Sequence, residues 1–184
     1  MVRIFGIGRE KKVKIPDGTT IYTVAPKVSL GSIIDFDRRK SRRHMKLGYY
    51  DTMRLIYGLK GKIYYIDESE EECYYLKQLT DLDDLVCEYL MDTYQLSRDP
   101  KLFLRNMTEV ILPVLAEEMK LSKEWDYREL YLSMLEATAK LCRVPKYRIY
   151  TLSQLQDAVY GKLYRLHGTD VPSFVQVISR DVLI

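Results

Sequence analysis

Apolar and polar residues alternate weakly at the front of this chain and recur at helical spacing behind it. Val2 to Gly8 predicts a first strand. Val13 to Val24 places Pro16-Asp17-Gly18-Thr19 between two β-prone runs, a hairpin signal, and Pro26 closes the second strand. Residues 2–25 thus predict a small antiparallel sheet, which needs helical cover to be stable. Ser29 to Lys46 fits two readings: a helix capped by Ser29 or Ser32 with Ile33, Ile34 and Phe36 inward, or a strand and a basic loop. Gly48 stops it in both. Tyr50 to Leu59 predicts a helix whose Met53, Ile56 and Tyr57 share a face with Tyr49. Lys62 to Asp67 predicts a strand joining the N-terminal sheet.

From Ser69 onward the period is helical. Ser69 and Glu72 have the spacing of a capping box, and Thr80 starts the next helix, with Leu82, Leu85, Val86, Tyr89, Leu90 and Tyr94 inward. Asp99 followed by Pro100 is a strong helix start. Leu102, Phe103, Met107, Val110, Ile111, Val114, Leu115 and Met119 then repeat, and Leu104 and Leu112 widen the apolar face. This segment, to Lys120, is the expected centre of the core, with a kink at Pro113. Ser122 is expected to cap a helix burying Tyr127, Leu130, Tyr131, Met134, Leu135, Thr138 and Leu141, which Pro145 ends. Tyr147 to Tyr150 predicts a short extended piece. Ser153 starts a helix carrying Leu155, Val159, Leu163 and Leu166, stopped by Gly168. The tail, Asp170 to Ile184, fits helix and strand equally.

The fold class this predicts is α+β: a small N-terminal antiparallel β-rich part, residues 1–67, with a mainly α-helical body, residues 68–184, as one continuous domain. A chain of 184 residues with 47% hydrophobic content can build such a core. No window approaches the ~18 apolar residues of a membrane span, and the apolar run at the N-terminus is too short for a secretory signal. Cys73, Cys87 and Cys142 read as free thiols of a reducing compartment.

Charge changes this picture most. The net charge is only +3, yet residues 1–66 hold 15 Lys and Arg against 5 Asp and Glu, and residues 67–99 hold 2 against 11. The densest basic stretch is Arg38, Arg39, Lys40, Arg42, Arg43 and Lys46, six cations in nine residues. Such a local potential suits phosphate contact in a nucleic acid, or docking on an acidic protein surface. Aromatic residues do not interleave with these cations, so a stacking platform is poorly supported, although Tyr49 and Tyr50 follow. The acidic set, Glu68 to Glu72 with Asp81, Asp83 and Asp84, lacks the turn glycine and spacing of a calcium loop and reads as helix N-terminal turns.

Catalytic patterns are weak. Asp99 with Glu118-Met119-Lys120 imitates a nuclease spacing, but on a helix where that chemistry uses a strand. Gly6-Ile7-Gly8 lacks the third glycine of a dinucleotide turn, Lys11 standing there. Gly58 to Lys62 is too short for a phosphate loop, and Ile63 replaces its Ser/Thr. His44 and His167 have no nucleophile that the spacing places beside them. No catalytic, metal or cofactor site is therefore assigned.

The compact front VKIPDGTTIYTVAPKVSLGSIIDFDRR and the tyrosine-rich helices after it resemble, in style, small bacteriophage virion or assembly proteins of neck, connector, tail or baseplate type. The likeness covers about half the chain and carries over no functional residue. It implies a non-enzymatic structural or assembly protein acting through protein–protein contacts with other subunits, as a homo-oligomer or within a larger particle, and a virion location, or otherwise a cytoplasmic one. The alternative is a nucleic-acid-binding protein using residues 38–46. Sixteen tyrosines, each with apolar area and a polar tip, suit such interfaces.

Overall fold

The computed structural model describes residues 16–20, 24, 37–166 and 171–180. Its first long element is α1 (Arg38–Tyr57), capped by Asp37, whose carboxylate accepts the Arg39 N–H at 2.7 Å. Gly48 does not stop it. A glycine in a helix costs about 1 kcal/mol relative to alanine but breaks nothing, and Thr52 Oγ1 donates to the Gly48 carbonyl at 2.8 Å. The stop is Gly58, at φ 65°, where the Leu59 N–H reaches back to the Arg54 carbonyl at 3.0 Å. The two segments expected around Gly48 are thus one helix of 20 residues.

The expected α+β class is corrected here: the described residues are mainly helical, and the sheet they form is a two-stranded parallel pair rather than an antiparallel one. Strand β1 (Tyr65–Asp67) pairs with β2 (Ile149–Thr151), Tyr65 opposite Ile149 and Asp67 opposite Thr151. Of the run Lys62 to Asp67, the second half, Tyr65–Asp67, forms a strand. Its partner is the short extended piece late in the chain, because Tyr65, Ile66 and Tyr150 need burial on the helical body. Of the expected hairpin over residues 2–25, the described part is the turn, with Thr19 N–H donating to Pro16 C=O and Gly18 at φ 81°. Its strands, and the readings placed on residues 29–36, lie outside the described residues.

Helices α2 (Glu72–Thr80) and α3 (Asp84–Thr93) follow. Neither starts as the spacing suggested. Glu71 and Asp83 hold the cap positions without a side-chain bond, and Thr80 ends α2, its hydroxyl bonded to the Leu76 carbonyl. Asp99 caps as expected, accepting the Lys101 N–H at 2.9 Å, and Pro100–Leu102 forms a 3₁₀ turn. The chain continues as α4 (Phe103–Asn106), a π turn (Met107–Ile111) and α5 (Leu112–Glu118). Pro113 has no N–H for the Glu109 carbonyl, and the backbone widens one turn ahead of it, Leu112 N–H reaching Met107 C=O.

The centre of the core is α6 (Tyr127–Leu141), not the segment 99–120. It packs against α2, α7 (Leu152–Tyr160) and α8 (Ser173–Ser179). Its cap is Asp126, not Ser122, and its outer end carries an exposed Leu141. Leu130, Tyr131, Leu132, Met134, Leu135 and Ala139 are all buried, so it meets neighbours on several sides. By contrast Leu102, Leu104, Val110 and Val114 of the preceding segment are exposed, and Met107, Ile111, Leu112 and Leu115 make its one inner face. Thr151 and Gln154 form a full capping box for α7. The tail proves helical: Phe174, Val175, Gln176, Val177 and Ile178 are buried on several faces of α8.

One carboxylate ties the front to this body. Glu136 of α6 is buried and accepts three successive backbone N–H groups: Lys62 at 2.9 Å on Oε2, with Ile63 at 2.9 Å and Tyr64 at 2.7 Å on Oε1. Gly61, at φ 86°, lets the loop wrap this close. A Cβ there would lie 2.4 Å from Glu136 Oε1.

Candidate functional site

All six expected cations, Arg38, Arg39, Lys40, Arg42, Arg43 and Lys46, lie on the first half of α1 and are exposed. The helix has no buried residue. It is held near its C-terminal end. The Tyr50 ring packs on Tyr65 at 5.0 Å and Tyr147 at 6.1 Å. Arg54 Nη2 donates to the Tyr64 carbonyl at 2.9 Å, and its guanidinium lies 4.3 Å over the Tyr65 ring. Asp51 accepts from the Tyr65 hydroxyl at 3.1 Å and from Arg54 at 3.3 Å. These contacts fix the last two turns of the helix.

The first half is electrostatically stressed. Its first turn has no acidic residue, although the positive end of the helix dipole favours one. Arg38–Arg42, Arg39–Arg43 and Arg42–Lys46 are like-charge pairs at i,i+4, each costing about 0.2–0.5 kcal/mol. Arg38, Arg39, Arg42, Arg43 and Lys46 form no ion pair with any described residue. Alongside runs an uncovered apolar stripe: Met45 is 68% exposed, Tyr49 58% and Ile56 66%. Their spacing of four and seven residues sets them on one face. The sequence pattern found the cations and set Ile56 on one face with Tyr49; it did not join Met45 to that face, because Gly48 was expected to end the segment before it.

The acidic set divides. Glu68 turns inward, accepts the Tyr75 hydroxyl and pairs with Arg128 at 3.7 Å. Glu72 accepts the Tyr127 N–H. These two are ties between α2 and α6. Glu70, Glu71, Asp81, Asp83 and Asp84 stay exposed. Among the described residues Arg38, Arg39, Arg42, Arg43 and Lys46 make no ion pair with the acidic set, and Glu68 takes its partner from α6.

A second basic group went unnoticed in the sequence because its members are spread over turns. Lys140, Arg143, Lys146, Arg148, Lys162 and Arg165 fall within residues 137–166, which contain one carboxylate, Asp157. Arg143 and Arg165 line, with Leu141, a depression of about 410 Å³, and Arg165 Nη1 donates to the Cys142 carbonyl at 3.3 Å. Tyr147 joins this region to α1 through Tyr50.

The catalytic patterns do not assemble. Asp99 and Glu118 stand at opposite ends of one helical segment, nineteen residues and about 28 Å apart. Asp99 is spent as a cap. His167 lies outside the described residues. Among the described residues no three His, Cys, Asp or Glu side chains could hold a metal ion, and no helix is long and apolar enough to cross a membrane. The three cysteines are free thiols; burial pushes those of Cys142 and Cys87 up from the ordinary range.

What these features define is a helical protein with one basic, uncovered helix fastened at its end. Comparison with protein-family models, curated proteins and solved structures finds no match.

Proposed function

We infer that the chain is a non-enzymatic structural or assembly protein that works through protein–protein contacts, with α1 as its docking arm. One observation carries this: a 20-residue helix has no buried residue, crowds like charges into its first turns and exposes Met45, Tyr49 and Ile56 beside six cations. Helices in proteins owe most of their stability to a packed face. A groove with carboxylates at its rim supplies that face and relieves the like charges, in the helix-in-groove mode. The viral particle implied by the resemblance in style is one setting for such an arm.

A second reading is nucleic-acid binding through the same cations. The second basic group around Tyr147 favours it, since together the two groups make a broad positive surface. The two readings differ at Met45. A photo-crosslinking residue placed there, in the protein's native setting, is expected to yield a protease-sensitive adduct. A nuclease-sensitive adduct, with salt-dependent retardation of DNA or RNA, transfers the function to the second reading. No adduct of either kind removes both.

A further inference from the structure

We propose that α1 of one copy docks along α3 of a second copy, cations against carboxylates and Met45 against Leu85, so that the chain associates head to tail. This rests on the reading of α1 as an assembly arm and names its partner.

The two helices carry complementary stripes. On α3, Asp84 and Glu88 stand at i and i+4 with Leu85 next to Asp84, Asp81 lies in the short non-helical run just before the helix, and all four are exposed. Leu85 is 68% exposed, an apolar side chain beside Asp84 and Glu88 on the same helix. On α1, Arg38, Arg42, Met45 and Tyr49 follow at i, i+4, i+7 and i+11, an apolar stripe entered through cations. Asp92, one turn beyond Glu88, is already held by Arg98 Nε and Nη2, at 2.9 and 2.6 Å. The acidic stripe therefore ends near Glu88. Asp84 is favoured in the first turn of α3 by the same dipole that disfavours the α1 cations. Bringing the stripes together places anions beside the stressed end of α1 and covers the exposed leucine.

The contact joins two different surfaces, so an open assembly keeps one free α1 and one free α3 at its two ends and goes on adding copies unless the rotation closes a ring. Charge sets its partner choice: two α1 stripes repel, as do two α3 stripes.

Sedimentation of the full chain at low and high salt tests this. Wild type is expected to exceed the 21.7 kDa monomer at low salt and to dissociate as salt screens the pairs. Two reversed variants follow: Arg38, Arg39, Arg42 and Arg43 all changed to Glu, and Asp81, Asp84 and Glu88 all changed to Lys. Each alone is expected to associate more than about tenfold more weakly, because like charges then face one another. Their mixture is expected to restore the complex. All seven residues are exposed, and far-ultraviolet circular dichroism of each variant checks the fold. A wild type that stays monomeric at low salt and high concentration overturns the proposal, as does a mixture that fails to re-associate. If that monomer still gives a protease-sensitive adduct at position 45 to another protein, self-docking falls and the assembly reading stands.

Discussion

Replacing Glu136 tests whether one carboxylate fastens the loop at residues 61–64. In Glu136→Ala the Lys62 N–H, on an exposed residue, regains water, but Tyr64 is fully buried and its N–H does not. A hydrogen bond to a charged acceptor contributes about 1.5–3 kcal/mol. Loss of the two inner ones, partly offset by water reaching Ile63, predicts about 3–4 kcal/mol of destabilisation. Against a typical stability of about 5–15 kcal/mol the variant still folds, with a melting point lowered by about 6–16 °C at this size. Gly61→Ala is expected to cost about 2–3 kcal/mol, from a left-handed alanine and from a Cβ driven against Glu136 Oε1. The decisive measurement is the double variant. Glu136→Ala removes the nearer of the two oxygens that the new Cβ strikes, the Tyr64 carbonyl at 2.9 Å remaining, so the pair should fall short of additivity by about 1 kcal/mol or more. Urea unfolding followed by Trp125 fluorescence, the single tryptophan, gives all three values. Additivity within about 0.3 kcal/mol would refute the claim that Gly61 and Glu136 are one device.

Three further outcomes are expected. Tyr64, Tyr65, Tyr75 and Tyr131 have hydroxyls pushed far above the ordinary range, chiefly by burial. Their folded state resists ionisation, so the stability they carry is intact below about pH 10 and falls above it by about 1.4 kcal/mol per unit for each. A spectrophotometric titration should show the exposed tyrosines first and these four only with unfolding. Thiol labelling at neutral pH should modify exposed Cys73 quickly, Cys87 slowly and buried Cys142 only on denaturation; rapid loss of all three thiols contradicts the packing. Arg54→Ala removes the guanidinium over Tyr65 and the bond to the Tyr64 carbonyl. Hydrogen exchange should then quicken across residues 38–57 by at least several-fold, while α6 keeps its protection.

Local signals were legible where one residue decides an outcome. Asp99 before Pro100 caps as its chemistry dictates, and the turn at Asp17-Gly18 forms with glycine in its left-handed position. The candidate cations were visible as a run. What the pattern could not show is which apolar stripe meets the body. Leu104, Val110 and Val114 repeat at helical spacing as faithfully as Met107 and Ile111, yet face out. The choice depends on α6, where Leu132, Glu136 and Ala139 are buried outside the face that the spacing marks. The sheet was misassigned for a related reason. Ile66 has the same β preference whatever its partner, and nothing local selects Tyr150.

The pairing of β1 with β2 also has a meaning in time. The seat that receives Tyr50 and Arg54 is built from Tyr65 and Tyr147, side chains separated by more than eighty positions of chain. During synthesis at roughly 5–20 residues per second, the basic helix leaves the ribosome seconds before its mooring exists. Its orientation is therefore a late event, and a chain cut short before Ile149 would carry every cation of the arm with no fixed direction in which to present them.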